Sequence, residues 1–331
     1  MLITKTPLRV SLFGGGTDYP DYCDRSGGLV LGGTIDKYIY ISAIPLFAHT
    51  VEKIRLSYRE TESVKSIEHI QHPIVREYLK KINFDEKYAF HTVSDIPGGT
   101  GLGSSSAFSV GFIKLIQKII GNEPNAEWLA REAIDLERNL LHEPVGLQDQ
   151  YHAAFGGFSL YKFKKNRSVS IQNIPNLEGL NNVISKNAVM IYTGNIRAAR
   201  GILPEQVSNT KSMSKDHYLQ RMKDICFSAN ELFNTNMQDN FLSTFGELLK
   251  ESWELKLNLA STISNSAINE IIDNLYQFGA NGAKVLGAGG GGFVFAIGDQ
   301  DLKNKSIEFF GKDRVIDFRF TSSGSKLMRL P

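Results

Sequence analysis

IPGGTGLGSSSAFSVGF, residues 96–112, is the stretch on which the reading of this chain turns. Glycines at 98, 99, 101 and 103 let a backbone approach a ligand closely, and Ser104, Ser105 and Ser106 stand where an amphipathic helix begins. Phe108, Phe112, Leu115 or Ile116, and Ile119 recur at three- and four-residue intervals, which predicts a helix over 105–120 closed by Gly121. Free N–H groups, hydroxyls and the positive end of that helix converge on one spot. Such a spot is an anion site, and phosphate matches it best because several acceptor oxygens meet several donors at once. No lysine follows the glycines in the G-x-x-x-x-G-K-[ST] order, so the loop is not of Walker type and its charge partner has to come from elsewhere.

Upstream, Leu8, Val10 and Leu12 alternate with Arg9 and Ser11 in a strand that ends at Gly14, Gly15 and Gly16. Residues 29–44 read as a second long strand or a bent pair, with more strand around 54–58 and 88–93. Downstream, a helix capped by Asn125 is expected over 126–141. The polar stretch 166–176 is the expected seam between two domains, 1–170 and 171–331. Beyond it come a strand at 187–194, mainly helix over 203–278, and two closing strands, KVLGAGGGGFVFAI and RVIDFRF, flanking a short helix around 301–310. The glycine run 287–292 formally matches G-x-G-x-x-G, yet a strand follows it where a dinucleotide-binding fold requires a helix. It reads instead as a tight connection packed against another backbone or a ligand. The fold class is α+β in two halves.

With 331 residues and 42% hydrophobic content, a substantial core is available. The net charge of +2 provides no field to draw the chain onto nucleic acid or anionic lipid, which leaves a small molecule as the expected partner and says nothing of oligomeric state. Two cysteines, Cys23 and Cys226, cannot build a disulfide framework or a zinc site. With no leader-like segment and no apolar run of membrane length, a cytoplasmic location is expected.

Around the loops stand a few polar residues with chemical potential. Asp149, in a stretch of glycine, small and polar residues, could accept a proton from an attacking hydroxyl, orient it, or simply form a turn. Glu137 falls beside the apolar face of its helix, in register with Ala130, Ile134 and Leu141, and a carboxylate turned inward needs a cation. Arg138 is rotated by about 100° and is badly placed for that role, so a distant base or a metal is called for. Mg²⁺ would suit one Glu, one Ser and ATP. Asp18, behind the first glycine cluster, either holds sugar hydroxyls or forms a local turn. Arg9 is either on a solvated face or a fixed positive charge for phosphoryl transfer. His142 and His152 have no metal or triad spacing and are taken as structural.

Three motifs in order, PLRVSLFGGGTDY, IPGGTGLGSSSAFS and KVLGAGGGGFVFAI, together resemble the GHMP small-molecule kinases over nearly the whole chain. The resemblance implies a two-domain fold, with an N-terminal domain of ribosomal-protein-S5-like type and a ferredoxin-like α/β C-terminal domain. It also implies ATP held by Pro97, Gly98, Gly99, Gly101, Leu102, Gly103, Ser104, Ser105 and Ser106. Asp149 then matches the catalytic aspartate, with Arg9 stabilising charge as the phosphoryl group moves. Glu137 and Ser105 match Mg²⁺ ligands, although Glu137 stands one residue further from Asp149 than in mevalonate kinases. Asp18, with Gly16 and Thr17, matches the sugar-binding turn, and Gly289 and Gly290 the C-terminal glycine motif at the substrate. GGGTDY and GLQDQYHAAFGG are most similar to the branch that phosphorylates a heptose 7-phosphate at its anomeric hydroxyl. Arg197 and Arg200 are inferred from charge to hold that substrate's own phosphate. Gly15 and Gly16 replace the Glu-His of galactokinases. A kinase for free fucose or galactose, and a catalytically silent sugar sensor, remain as alternatives.

Overall fold

The computed structural model describes residues 1–194, 203–235 and 240–330. Its first half runs β1 (Leu2–Phe13), α1 (Pro20–Ser26), β2 (Gly28–Pro45), β3 (Ile54–Ser57), β4 (Thr61–Val64), α2 (Pro73–Lys81), β5 (Tyr88–Ser94), α3 (Ser104–Ile119), α4 (Ala126–Asp135), α5 (Gln148–Phe155), β6 (Phe158–Phe163) and β7 (Val169–Asn173). The second half runs α6 (Leu177–Asn187), β8 (Ala188–Tyr192), α7 (Leu203–Lys211), α8 (Asp216–Asn234), α9 (Phe241–Leu257), α10 (Ser266–Gln277), β9 (Ala280–Val285), β10 (Phe293–Gly298), α11 (Asp301–Phe310), β11 (Val315–Ile316) and β12 (Lys326–Arg329).

The long strand β2 organises the first sheet. Its C-terminal part pairs with β5 while its N-terminal part pairs with β6, and β1 runs antiparallel along nearly all of it. Arg9 and Ser11, two residues apart on β1, share a face and both reach α5, the former at Asp149 and the latter at Gln148. The second sheet is antiparallel, in the order β11-β8-β10-β9.

Several elements match the sequence reading closely. Asn125 caps α4 by accepting from the Trp128 N–H at 2.8 Å, and α3 starts within one residue of its expected position. The helix expected over 126–141 is instead α to Asp135 and then a π turn over Leu136–Leu140. The Leu141 N–H bonds the Leu136 carbonyl five residues back, which accommodates an additional residue within the helical run. The RVIDFRF strand shortens to Val315–Ile316, with Phe320 in a single bridge to Ile35.

The expected seam at 170 falls inside a strand. β7 spans 169–173 and hairpins onto β6, and β12 returns from the far end of the chain to pair with β1. Polar composition indicated a linker, but the segment is an edge hairpin whose outer residues face water. The two halves also share apolar packing. Phe13 meets Phe245, Phe245 meets Phe295, and Phe158 meets both Phe233 and Phe320, with ring centroids 4.8–6.1 Å apart. No helix among the described residues is long and apolar enough to cross a membrane.

Candidate active site

The glycine-serine loop enters α3 as expected, with Pro97, Gly98 and Gly99 exposed at its crown and Leu102 fully buried as its anchor. Leu102 thus holds the loop in the core with its side chain and offers a ligand only backbone. Gly103 adopts φ 72°, and the helix follows at Ser104. In α3 successive side chains diverge by about 100°, so the three serines cannot share one direction. Ser105 is exposed, whereas Ser106 is buried and donates to Glu137 Oε2 at 2.8 Å. Ser109, one turn on, donates to Glu137 Oε1 at 2.6 Å. The serines on Glu137 are therefore Ser106 and Ser109, while Ser105, expected beside Glu137 at Mg²⁺, stands on the open side of the turn.

Glu137 sits in the π turn, only 1% exposed, and Gln150 Nε2 is its third donor. Burial pushes its carboxyl up to about 7, against the pull of these hydrogen bonds. Arg138 turns away to the Val145 carbonyl, so Glu137 has no basic partner on its own helix. Among the described residues no group of three or more His, Cys, Asp or Glu gathers as a ready-made metal cage. One buried carboxylate with two hydroxyls beside it fits Mg²⁺, which keeps waters and takes phosphate oxygens for its remaining positions.

Beneath the loop lies an ion pair. Arg9 donates through Nε to Asp149 Oδ1 at 2.8 Å and through Nη2 to Oδ2 at 2.7 Å, and its Nη1 donates to the Gly101 carbonyl at 2.6 Å. One guanidinium thus fixes both the carboxylate and the phosphate loop. The Asp149 side chain stays 25% accessible against 7% for Arg9, so the carboxylate can be reached by a substrate.

The C-terminal glycine run packs on the same loop from the other half of the chain. A methyl on Gly101 would stand 2.5 Å from the Leu286 carbonyl oxygen, and one on Gly287 2.5 Å from Gly101 Cα. Gly101 and Gly287 must both lack a side chain because two backbones touch there. Gly289 and Gly290, expected at the substrate, lean on Ile263, whose carbonyl accepts from the Gly290 N–H at 2.7 Å. The run is a brace built of backbone.

The turn around Asp18 also departs from expectation. Asp18 is 0% exposed and accepts from the N–H groups of Gly16, Leu147 and Gln148 and from Gln148 Nε2, at 2.9–3.1 Å. Thr17 is buried too, its hydroxyl donating to the Gly14 and Leu29 carbonyls. Gly16 faces Gln206, Leu219 and Leu259 of the second half. The Thr17 and Asp18 side chains are both turned into the protein, because the turn folds under the N-terminus of α5. Arg197 and Arg200 lie outside the described residues.

Two buried lysines escaped the sequence reading. Lys284 on β9 donates to the Leu12 carbonyl, and Lys256 on α9 to the Val285 and Gly287 carbonyls. Burial, reinforced by Arg9, lowers Lys284 to about 8; burial, with Lys284 and Arg9 nearby, holds Lys256 well below its ordinary value. The available signal was a lysine within an apolar strand, and one in helical register with Leu249 and Trp253.

A glycine-rich loop at a helix N-terminus, an arginine-fixed aspartate below it and a buried glutamate beside it are the parts a small-molecule phosphotransferase needs. The models of the GHMP kinases N terminal domain and the GHMP kinases C terminal match residues 68–157 and 233–313. The chain is 32% identical, over 99% of its length and 98% of the relative's, to the D-glycero-alpha-D-manno-heptose 7-phosphate kinase of Campylobacter jejuni. A solved putative sugar kinase from Campylobacter jejuni matches with TM-score 0.72 at 28% identity, covering 99% of this chain and 98% of that one. A D-glycero-D-manno-heptose 1-phosphate kinase from Bacteriodes thetaiotaomicron shares the fold with TM-score 0.80 at 21% identity, each chain covered completely. The chain belongs to the GHMP kinase family and is an ATP-dependent kinase.

Proposed function

We propose that the protein is a sugar kinase that phosphorylates the anomeric hydroxyl of D-glycero-D-manno-heptose 7-phosphate, giving the 1,7-bisphosphate. The observation that carries the reading is the Arg9–Asp149 pair seated against Gly101. It sets a reachable carboxylate beside the loop that would hold a triphosphate. The near full-length likeness to a heptose 7-phosphate kinase supports the acceptor.

ATP would lie with its phosphates over the backbone of Gly98 to Ser106. Asp149 accepts or orients the hydroxyl proton, and Arg9 holds that carboxylate in place and adds fixed positive charge near the moving phosphoryl group. Glu137, with Ser106 beside it and Ser105 on the open side of the same turn, would hold Mg²⁺. The ion supplies charge neutralisation at the phosphates when bound. Since phosphoryl transfer requires little covalent help from protein groups, positioning and electrostatics carry most of the rate.

The test is ADP release against heptose 7-phosphate, mannose 6-phosphate, free heptose, fucose and galactose. Turnover confined to heptose 7-phosphate, with phosphate added at C1, supports the proposal. Turnover on a free sugar only leaves a kinase of the fucose or galactose kind, and ATP binding without any turnover would leave a sensor.

A further inference from the structure

The GGGTDY turn is expected at the sugar, yet its carboxylate is turned into the protein. Asp18 makes four hydrogen bonds, and two of them come from the backbone N–H groups of Leu147 and Gln148, the residues at the start of α5. The next residue is Asp149. Gln148 tightens the link: its Nε2 donates to Asp18 Oδ1 at 3.0 Å, and its Oε1 accepts from Ser11 Oγ at 2.6 Å, two residues along β1 from Arg9. Gly146 has to be glycine, since a side chain there would run into the Asp18 carboxylate. A negative charge at a helix start, accepting free N–H groups, is a strong local restraint.

We propose that Asp18 is a positioning residue for catalysis: it fixes the first turn of α5 so that Asp149 meets Arg9, and it does not itself touch the sugar. The proposal rests on the reading of Asp149 as the group that faces the acceptor hydroxyl. It also couples the Gly14–Gly16 turn to Asp149, because the Gly16 N–H binds the same carboxylate. An amide at position 18 would confront two N–H donors with its own NH₂, breaking part of the set while keeping the size.

The experiment compares Asp18→Asn with the wild-type chain by steady-state kinetics on ATP and heptose 7-phosphate, and by hydrogen exchange. Expected are a kcat lower by about a hundredfold, as for a displacement near 1 Å, and a KM for the sugar phosphate within about threefold. Exchange should quicken over residues 146–155 while β1 keeps its protection. A KM raised tenfold or more with kcat retained would make Asp18 a sugar ligand and overturn the proposal, as would unaltered exchange in α5. The exchange arm needs no turnover, so it stands even if heptose 7-phosphate proves to be the wrong acceptor. Should Asp18→Asn fail to fold, Gln148→Leu removes one strand of the same network. It should reproduce the kcat loss and the faster exchange at smaller amplitude, and wild-type behaviour in both would likewise overturn the proposal.

Discussion

At the scale of single residues, the pair Arg9 and Asp149 and the buried Glu137 make separate predictions. Asp149→Asn keeps the shape but loses the charge and one of the two acceptors for Arg9. Its kcat should fall by about a hundredfold or more, while ATP affinity, measured by calorimetry, stays within about threefold. Glu137→Gln should raise the Mg²⁺ concentration needed for half-maximal activity by at least about tenfold; an unchanged Mg²⁺ titration would remove Glu137 from the metal site. His152, 0% exposed with no partner on either ring nitrogen, is held neutral by burial and then by Arg9, its pKa lowered to about 3. The unfolded imidazole takes up a proton below its ordinary 6.5 while the folded one does not, so stability is lost as pH falls through that range. About 2 kcal/mol should disappear between pH 6.5 and about pH 5. His152→Leu, which removes both unpaired nitrogens, should flatten that acid limb in denaturant titrations.

Among secondary-structure elements, the two glycine loops decide most. Gly287→Ala would press a methyl onto Gly101 and part the loops, so ATP binding should weaken by at least about tenfold. Gly121→Ala provides the contrast: its φ is 90° but nothing lies within 4 Å, so it should cost about 1–2 kcal/mol of stability and leave ATP binding alone. Equal effects of the two on ATP affinity would contradict the bracing role. Much of this scale was legible. The loop-to-helix junction at Ser104 and the strand after Gly292 follow from glycine clustering and hydrophobic period. The π turn was not, because a single turn of i→i+5 bonding in a helical run leaves the apolar spacing around it helical. Nor was the choice of Ser106 over Ser105, since which side of a helix faces Glu137 depends on where α4 lies.

For the whole molecule, the shared aromatic packing and the returning strand β12 argue for one cooperative unit. Each half holds one tryptophan, Trp128 in α4 and Trp253 in α9, so Trp128→Phe and Trp253→Phe each leave a reporter in a single half. Urea unfolding followed by fluorescence in the two variants should give coincident midpoints once corrected for the effect of each substitution on a common far-UV signal. Separate midpoints would mean that the halves melt independently.

What the amino-acid sequence determined by itself is local: glycine where backbones must approach, apolar spacing that sets helix and strand, and three motifs whose order identifies the family. Those signals rest on conformational freedom and periodicity, which a residue carries wherever it is placed. Tertiary structure alone decided the pairing of Arg9 with Asp149 across 140 positions, the descent of Asp18 beneath α5, and the bracing of Gly101 by Gly287. It also returned residues 326–329 to the first sheet, beside a strand from the opposite end of the chain. The physical reason is the same in each case: burial and hydrogen-bond satisfaction are properties of neighbours, and the neighbours that matter here come from distant parts of the chain.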